Sequence, residues 1–416
     1  MASLKKILVI GGGISGITTA LEASETGYEV ILVEKSPTLG GRISGFHQYF
    51  PKMCPPTCGL EINYRRLRSN KSIDIYTHSE LKSISGDPGS FKVVVEKKPT
   101  YVNDQCVLCD HCTSVCPSER SNEFNYGMDK TKAVFLPNLM AFPSKYHIDR
   151  ESCETGCEKC VEACKYNAIN LNMEGETYEF DVASIVFATG WKPYDAKKLK
   201  NLGFSKSPDV INNVMMERLA SVSGPTKGKI LRPSNQQPVQ SIAFVQCAGS
   251  RDENHLPYCS SICCLGSLKQ ANYMLEQNPD SQVTIYYIDI RTAGKYEDFV
   301  ASVQKHPNVE MIKGKVANVE LGQTGNPVVE AEDILKQKMI SREYDLVVLA
   351  TGMEPNLKTQ IPLKEIQLDE DGFMNPDFQK PGIYSAGTAK RPVDVNSSIQ
   401  DATGTSLKAI QNVVAN

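Results

Sequence analysis

The sequence predicts an α/β fold made of two nucleotide-binding halves, with a cysteine-rich module inserted into the first half. Three observations support this prediction. A glycine-rich turn directly follows the apolar run at residues 7–10, and two later apolar runs, at 185–190 and 346–352, each end in Ala-Thr-Gly. Eight cysteines fall in two closely spaced runs between residues 106 and 164. A chain of 416 residues is long enough for two or three domains, so each part can build its own core.

The first half opens with a complete strand–turn–helix–strand unit. The apolar run Ile7–Ile10 predicts a buried parallel strand, a helix is expected over 17–26, and a second strand ends at acidic Glu34. Glycines in the G-x-G-x-x-G register let backbone N–H groups approach a pyrophosphate, and a carboxylate that closes the second strand accepts hydrogen bonds from ribose hydroxyls. The alternative, a glycine-rich turn in an ordinary α/β domain, is disfavoured by this strand–helix context. The predicted cofactor contacts here are Gly11, Gly13, Ile14, Ser15, Gly16, Glu34 and Lys35.

Later segments favour FAD over NAD as the dinucleotide. The Gly40-Gly41-Arg42 run resembles the G-G-R element of flavoproteins with two dinucleotide-binding domains, the thioredoxin/glutathione-reductase-like class. In that class a strand like Gly382–Gly387 carries a flavin ribityl contact and an acidic residue follows it. Thr388 stands there instead, so that hydrogen bond is either lost or made by a hydroxyl. A helix over 401–410 is expected to direct its N-terminus at the flavin ring. The further predicted contacts are Gly41, Arg42, Ala188, Thr189, Gly190, Gly352, Gly387 and Thr388.

The two cysteine runs predict iron–sulfur clusters. The first run is C-x2-C-x2-C-x3-C-P and the second is C-x3-C-x2-C-x3-C, both close to the ferredoxin spacing for a [4Fe–4S] cluster. Zinc usually takes two C-x2-C pairs, and disulfide frameworks belong to small secreted domains, so both alternatives are disfavoured. In two-cluster ferredoxins the last cysteine of each run ligates the other cluster. The predicted ligand groups are therefore Cys106, Cys109, Cys112 and Cys164 for one cluster, and Cys153, Cys157, Cys160 and Cys116 for the other.

The second half keeps the strand pattern of a nucleotide fold but not its glycine motif. After the strand 241–246 the chain reads Cys247-Ala248-Gly249, and the next strand ends at Asp289 rather than in basic residues suited to a 2′-phosphate. We expect that this half has lost NAD(P)H. Four thiols replace the phosphate turn and predict a third [4Fe–4S] cluster, with buried core cysteines as the alternative: Cys247, Cys259, Cys263 and Cys264. Cys54 and Cys58 form a further pair, open between a redox dithiol, ligands shared with another chain, and a structural role.

The composition of the chain restricts its partners and location, and the motifs predict its domain boundaries. A net charge of −3 gives no broad attraction to nucleic acid or anionic lipid. Fourteen cysteines without a recognisable targeting segment favour a reducing, cytoplasmic location, and no run approaches the 18 apolar residues of a membrane span. No protein nucleophile or acid–base set is evident, so we predict no catalytic side chain. The predicted boundaries are 1–98, 178–227 and 345–416 for the FAD-binding domain, 99–177 for the ferredoxin-like insert, and 228–344 for the degenerate NAD(P)-type domain.

Together these motifs resemble the HdrA family of flavin/iron–sulfur subunits over nearly the whole chain. Besides the glycine turn and the insert, the resemblance rests on Pro55–Glu61, Gln246–Asn254 and Cys259–Cys264. It implies one FAD, two to three [4Fe–4S] clusters, and a cluster on the third cysteine group beside the flavin. It also implies that Lys269 is a flavin neighbour. Longer members of the family carry additional terminal cluster domains.

The resemblance also implies a function and partners. The chain is most similar to the quinone-linked members of the family, which implies an electron-transfer subunit held at the membrane by its partners. Those partners are a second HdrA-like subunit and a membrane haem/quinone subunit, and electrons pass between menaquinol and adenylylsulfate reductase in sulfate respiration. The alternatives are an HdrA-like subunit of heterodisulfide reduction or sulfur oxidation, and an NAD(P)H-dependent flavoprotein reductase.

Overall fold

The computed structural model describes residues 5–50, 52–292, 294, 296–357 and 364–415. The first four residues of the predicted FAD-binding domain lie outside the described residues. The chain divides into two compact units. The first unit comprises Met1–Trp191, Pro355–Arg391 and Val395–Asn416, and the second comprises Lys192–Glu354 and Pro392–Asp394.

The secondary structure alternates strands and helices in both units. The strands are β1 (Lys6–Ile10), β2 (Glu29–Glu34), β3 (Ile73–Thr77), β4 (Ser79–Asp87), β5 (Ser90–Lys97), β6 (Glu119–Ser121), β7 (Lys130–Lys132), β8 (Val134–Phe135), β9 (His147–Ile148), β10 (Glu176–Val182), β11 (Ser184–Phe187), β12 (Trp191–Pro193), β13 (Val210–Asn212), β14 (Ser241–Ala248), β15 (Gln282–Tyr287), β16 (Val309–Lys313), β17 (Val316–Leu321), β18 (Pro327–Asp333), β19 (Lys338–Glu343), β20 (Leu346–Thr351), β21 (Met353–Pro355) and β22 (Ile383–Ser385). The α-helices are α1 (Ile14–Glu25), α2 (Pro56–Ser69), α3 (His111–Val115), α4 (Lys159–Ala163), α5 (Asn213–Ala220), α6 (Cys263–Gln277), α7 (Tyr296–Gln304) and α8 (Val395–Ala415).

A five-stranded parallel sheet forms the centre of the first unit, in the order β22-β11-β1-β2-β3. Its strands are short apolar runs because both faces of a parallel sheet are covered. On one face Ile7 and Val9 pack with residues of α1 and α8. On the other face Leu8 and Ile10 pack against apolar residues of the antiparallel sheet β10-β5-β4. This is a nucleotide-binding fold, with the β1–α1 turn at the carboxyl end of the sheet.

The cysteine-rich insert lies within the first unit and has its own small core. It contains the two-stranded sheets β6-β7 and β8-β9 and the single-turn helices α3 and α4. The two ends of the insert are joined by the bridge between Val102 and Ile169. Cys112, Cys116 and Cys160 are buried in this core. Cysteines thus supply part of the apolar interior of a module too small to build a large core.

The second unit repeats the architecture of the first. Its parallel sheet has the order β13-β20-β14-β15-β16, and a three-stranded antiparallel sheet, β17-β18-β19, accompanies it. The shared core contains Ala243, Val245, Val347 and Leu349 from the two central strands. The β14–α6 connection therefore occupies the position that the glycine turn holds in the first unit.

The boundaries of these units differ from the predicted ones at three places. Residues 192–227, 345–354 and 392–394 lie in the second unit, although the sequence predicts all three ranges in the FAD-binding domain. The reason for the first two is strand pairing: β13 and β20 are both hydrogen-bonded into the second parallel sheet. The two Ala-Thr-Gly strands thus belong to two different sheets, β11 to the first and β20 to the second.

Candidate cofactor sites

A cradle of glycines forms where three segments of the first unit meet. Gly11 has φ +106°, and a Cβ atom built on it would lie 2.3 Å from the carbonyl oxygen of Ala188. A Cβ on Gly16 would lie 1.7 Å from the Gly11 oxygen, and one on Gly41 would lie 2.8 Å from the Cα of Gly13. Only glycine fits at these contacts, so the backbone of the β1–α1 turn is open to a close-lying pyrophosphate.

Glu34 lies at the end of β2, at the cradle, and is buried. Its carboxylate accepts hydrogen bonds from the Gly12 N–H at 2.5 Å and the Ser36 N–H at 2.7 Å. Burial raises the pKa of the Glu34 carboxyl, and those two N–H donors oppose the shift. A carboxylate oxygen retains a second acceptor position, which suits a ribose hydroxyl. By contrast, the Lys35 ammonium pairs with Glu80 at 3.3 Å and is half exposed.

The turn after β11 presents a buried polar atom with no hydrogen-bond partner in the described part of the chain. That atom is Oγ1 of Thr189. Asn356 fixes the same turn, because its Nδ2 donates to the Thr189 carbonyl at 2.7 Å and its N–H donates to the Gly190 carbonyl at 3.2 Å. An orphaned buried hydroxyl beside a glycine cradle fits a bound dinucleotide. Sequence reasoning missed Asn356, which follows the second Ala-Thr-Gly strand in the chain.

The predicted ribityl contacts cluster at the start of α1. A Cβ on Gly387 would lie 2.2 Å from Oγ of Ser15, so these two residues are in close contact, and Thr388 is buried beside them. The N–H of Gly387 donates to Asp401 at 2.8 Å, and Lys390 pairs with the same carboxylate at 3.0 Å. The helix expected over 401–410 begins earlier, at Val395, so Asp401 is not at its N-terminus. Its carboxylate instead fixes the Gly387 turn.

Arg42 links the cradle segment to the cysteine-rich insert. Its Nε donates to the Trp191 carbonyl at 2.6 Å, and Nη1 donates to the Tyr126 hydroxyl at 2.9 Å. The guanidinium lies 5.2 Å from the centre of the Trp191 ring, within cation–π range. Tyr126 belongs to the insert, so the predicted cofactor residue Arg42 is also a contact between the two parts of the first unit.

The structure brings four insert cysteines together around one cavity. Its lining includes Cys106, Cys109, Cys112 and Cys164. These are the four that the crossed ligand pattern groups together. Burial raises the pKa of the Cys112 thiol to about 12, and the nearby Cys106 thiol adds to this shift. Metal coordination removes such a proton outright, so a buried thiol set of this kind fits cluster ligands.

The other insert cysteines form a second group. Cys160 lies near three further thiols, which with burial raise its pKa: Cys153, Cys116 and Cys157. Burial raises the pKa of the Cys153 thiol, and the nearby Arg150 side chain opposes this shift. Within the described ranges, no three His, Cys, Asp or Glu side chains close on a single ion. Cluster ligands surround a body of eight iron and sulfide atoms, whereas zinc holds its ligands within about 2.3 Å of one point.

The third cysteine group also converges. Cys247 lies near the end of β14 and has φ +56°. Cys263 and Cys264 are the first two residues of α6. All three cysteines are buried. Burial raises the pKa of Cys263 well above its ordinary value, and the thiols of Cys247, Cys264 and Cys259 add to the shift. Backbone N–H groups point at two of these sulfurs: Ser261 N–H to Cys259 at 3.4 Å, and Arg291 N–H to Cys264 at 3.4 Å. A donor set of four thiols with N–H···S bonds fits a [4Fe–4S] cluster.

Asp289 does not lie free to hold a ribose in this second unit. Arg251 forms an ion pair with its carboxylate, and Arg291 Nε donates to the other oxygen at 3.2 Å. In this unit, therefore, cysteines replace the glycine turn of a nicotinamide site. The carboxylate that would bind the ribose is already paired with two arginines.

Two predicted flavin contacts lie in the second unit rather than at the cradle. A Cβ on Gly352 would lie 2.7 Å from Oγ of Ser260, so this glycine packs on the loop of the third cysteine group. Lys269 is buried in α6 and its ammonium pairs with Glu217 at 3.0 Å. Gly352 follows β20 of the second sheet, and both nucleotide folds contain a strand that ends in Ala-Thr-Gly. Gly352 and Lys269 stay predictions as flavin contacts.

Cys54 and Cys58 lie at the start of α2. Cys54 is half-buried and Cys58 is exposed. Both thiols lie near the Tyr49 hydroxyl, whose pKa is raised first by burial and then by these thiols. The three interpretations of this pair all stay open.

Comparisons with known proteins find similarity to FAD-dependent oxidoreductases and to subunits of heterodisulfide reductases. Residues 6–108 match the family model "FAD dependent oxidoreductase". The chain is 38% identical over 98% of its length to the HdrA of the ferredoxin/F420H2-dependent CoB-CoM heterodisulfide reductase of Methanosarcina acetivorans, of which it covers 53%. It is 35% identical to the HdrA of the H2:CoB-CoM heterodisulfide,ferredoxin reductase of Methanothermobacter thermautotrophicus, with 97% of this chain and 63% of that protein covered. An iron–sulfur HdrA of the CoB–CoM heterodisulfide reductase of Methanopyrus kandleri is 38% identical, with 99% and 64% covered. The chain thus spans between about half and two thirds of the length of these relatives.

Solved structures support the fold. Thioredoxin reductases of Lactococcus lactis and T. acidophilum each superpose with a TM-score of 0.54 at 12% identity. Each comparison covers 99% of this chain and 98% or more of the other. The fold is therefore that of the two-dinucleotide-binding-domain flavoproteins, as predicted. Together the comparisons support FAD and [4Fe–4S] clusters as the cofactors and oxidoreduction as the type of chemistry. In the described part of the chain no helix is both long and apolar enough to cross a membrane.

Proposed function

We propose that this chain is an electron-transfer flavin/iron–sulfur subunit of the HdrA type. The observation that carries the proposal is the combination of one glycine cradle with three convergent groups of four thiols in a single chain. When bound, FAD would exchange electrons in pairs and the clusters would exchange them singly. No acid–base or nucleophilic side chain is required for that role.

The residues of the chain position and insulate these groups. The backbone at the start of α1 would hold a pyrophosphate through its N–H groups, and Glu34, which accepts from the Gly12 N–H, offers a further acceptor position to the adenosine ribose. Asn356 and Asp401 fix the turns at Thr189 and Gly387, so the flavin-facing backbone is held before the cofactor binds. In the insert, burial excludes water from Cys112, Cys116 and Cys160, which lowers the local dielectric around the clusters.

The partners are the finer part of the proposal. We assign the chain to the quinone-linked branch of the family, as the QmoA component of a quinone-interacting membrane-bound oxidoreductase. Its partners would be a second HdrA-like subunit, a membrane haem subunit and adenylylsulfate reductase. The resemblance of the segments Pro51–Tyr64 and Phe187–Asp195 to the pattern of that component supports this assignment. The names of the similar proteins favour a second candidate, a component of a heterodisulfide reductase complex.

Purification of the native complex under anaerobic conditions separates these candidates. A tag on this chain should recover a haem-containing membrane subunit and a second flavin/iron–sulfur subunit, and a menaquinol analogue should reduce the flavin of that complex. Recovery of heterodisulfide reductase subunits without haem would assign the second candidate. Recovery of the chain alone, with a flavin that NADH or NADPH reduces rapidly, would contradict both and would restore the NAD(P)H-dependent reductase.

A further inference from the structure

We infer that the cysteine-rich insert positions the FAD-binding segment of the first unit. The insert residues that do so are Phe142 and Tyr126, and the segment that they hold is Thr38–Arg42, which contains the G-G-R element. The inference rests on the proposed function, because it requires that FAD lies at the glycine cradle. Phe142 and Tyr126 are positioning residues: they act on the cofactor through this segment.

The inner side of the segment Thr38–Arg42 forms part of the cradle. The N–H of Gly40 donates to the Gly12 carbonyl at 2.8 Å. A Cβ atom built on Gly41 would lie 2.8 Å from the Cα of Gly13, so these two backbones are in close contact. The segment thus packs directly on the β1–α1 turn, and a displacement of the segment changes the space in which that turn would hold a pyrophosphate.

Phe142 of the insert holds the first end of the segment. Its N–H donates to Oγ1 of Thr38 at 2.8 Å, and its carbonyl accepts from the Leu39 N–H at 2.8 Å. Its ring stacks on that of Tyr64, with centroids 5.2 Å apart, and the Arg68 guanidinium lies 5.6 Å from the Phe142 ring. Tyr64 in turn donates to the Leu39 carbonyl at 3.0 Å. Backbone bonds and ring contacts therefore fix this end from two directions.

Tyr126 of the insert holds the other end of the segment. Its hydroxyl accepts from Nη1 of Arg42 at 2.9 Å. Nε of Arg42 donates to the Trp191 carbonyl at 2.6 Å, and the guanidinium lies 5.2 Å from the centre of the Trp191 ring. Arg42 is thus held between the insert and the strand that follows the first Ala-Thr-Gly turn. Two separate parts of the insert hold the two ends of one short segment.

These contacts couple FAD binding to the docking of the insert. A segment that is already held in place loses less conformational freedom when the cofactor binds, so the affinity for FAD is higher. Removal of one contact leaves every cradle residue present but leaves the segment less ordered before binding. Because such coupling is reciprocal, bound FAD stabilises the docked insert by the same factor.

The test measures the dissociation constant of FAD for the full chain carrying Thr38→Val or Tyr126→Phe. Both changes are nearly isosteric: the first removes the hydroxyl that accepts from the Phe142 N–H, and the second removes the hydroxyl that accepts from Arg42. FAD is titrated into flavin-depleted protein that retains its iron. We expect each variant to raise the Kd roughly threefold to tenfold, as the net loss of one hydrogen bond implies.

The fluorescence of Trp191 provides a readout of position that is independent of affinity. Trp191 is the single tryptophan of the chain, and the Arg42 guanidinium lies over its ring. Tyr126→Phe releases one contact of that guanidinium, so we expect a changed Trp191 emission in the flavin-depleted protein with the iron content unchanged. A general loss of stability would not move this signal in the folded protein.

Thr26→Val and Tyr178→Phe are the matched controls. Oγ1 of Thr26 donates to the Ala23 carbonyl at 2.8 Å, at the end of α1 away from the cradle. The Tyr178 hydroxyl donates to Glu176. Each control loses a side-chain hydroxyl of the first unit outside the segment Thr38–Arg42, so FAD affinity and Trp191 emission should both stay unchanged.

Two results would overturn the inference. One is wild-type FAD affinity in both Thr38→Val and Tyr126→Phe, and the other is an equal loss of affinity in the two controls. If Gly11→Ala loses FAD while Thr38→Val and Tyr126→Phe bind it normally, the cofactor site stands and only this inference fails. If Gly11→Ala also binds FAD with wild-type affinity, the cofactor lies elsewhere, and the proposed function loses its FAD site together with this inference.

Discussion

Single glycines decide whether the first unit can hold a dinucleotide. Gly11 combines a positive φ with a position where a Cβ atom would meet the Ala188 backbone oxygen at 2.3 Å. That oxygen belongs to main chain, so it cannot move aside as the end of a flexible side chain would. The glycine at this position is therefore required by geometry at the turn itself.

Replacing Gly11 with Ala should abolish FAD binding. The added methyl group must push the β11 turn away from the β1–α1 turn, which closes the cradle that the pyrophosphate needs. Flavin absorbance of the purified protein measures the result. Gly404→Ala is the control, because no atom lies within 4 Å of its added Cβ and the exposed helical position gains about 1 kcal/mol of stability. Full flavin content in Gly11→Ala would show that the cofactor lies elsewhere.

A histidine pair, with His147 buried and His78 half-buried, joins the insert to the first sheet. His78 follows β3 and His147 begins β9, with ring centres 4.7 Å apart in an edge-to-face arrangement. Nδ1 of each ring is buried without a hydrogen-bond partner in the described ranges. Burial, with a smaller contribution from His78, lowers the pKa of His147 to about 4. The folded chain therefore favours the neutral form of the His147 ring.

Acid should destabilise the first unit through His147. The unfolded chain binds a proton below pH ~6.5, whereas the folded chain binds it only near pH 4. Stability is therefore lost as the pH falls between these values, by about 3 kcal/mol for this group. Urea unfolding at pH 7.5 and pH 5 should show a smaller acid loss for His147→Phe than for wild type. His306→Gln, in the second unit, is the control. An identical acid loss in His147→Phe would refute this role.

At the scale of elements, the insert depends on crossed cysteines. The last cysteine of each run lies with the three others of the opposite run: Cys164 lines the cavity of the first run, and Cys116 lies near Cys160. The short helices α3 and α4 produce this crossed arrangement. Each helix connects the first three cysteines of its run to the last one, which is Cys116 after α3 and Cys164 after α4.

Replacing Cys116 with Ser should therefore alter the cluster held by Cys153, Cys157 and Cys160. EPR of the reduced protein should lose or change the same signal in Cys116→Ser and Cys157→Ser. Cys164→Ser should instead match Cys109→Ser. If Cys116→Ser matched Cys109→Ser, each run would hold its own cluster and the crossed pattern would be refuted.

Sequence spacing is sufficient to predict some elements and insufficient for others. The β1–α1 turn and the cysteine groups follow from local motifs, because the chemistry fixes residue types at short separations. The contact between Arg42 and Tyr126 spans 84 residues and leaves no local pattern. The sequence predicts the strand Leu346–Thr351 in the FAD-binding domain, whereas the structure pairs it with β13 and β14 in the second unit. The same Ala-Thr-Gly ending occurs in both folds, so only this pairing distinguishes them. Asn356 and Asp401 act through single side-chain hydrogen bonds, which no motif specifies.

At the scale of the whole molecule, the proposed third cluster would lie where a dinucleotide-binding fold holds its phosphate turn. The fold of the chain is shared with thioredoxin reductases at a TM-score of 0.54. In the second unit, however, thiols replace the phosphate turn and arginines engage Asp289. Under the proposed function, this unit would relay electrons in place of delivering a hydride.

Cofactor content tests this account most directly. Anaerobically purified and reconstituted protein should contain one FAD, with about twelve iron and about twelve acid-labile sulfide per chain, as three [4Fe–4S] clusters require. Iron, sulfide and flavin are measured on one sample, with Cys263→Ser expected to contain about four iron fewer. Iron near four per chain, or tightly bound zinc without sulfide, would contradict the central claim that this chain is a flavin and iron–sulfur electron carrier.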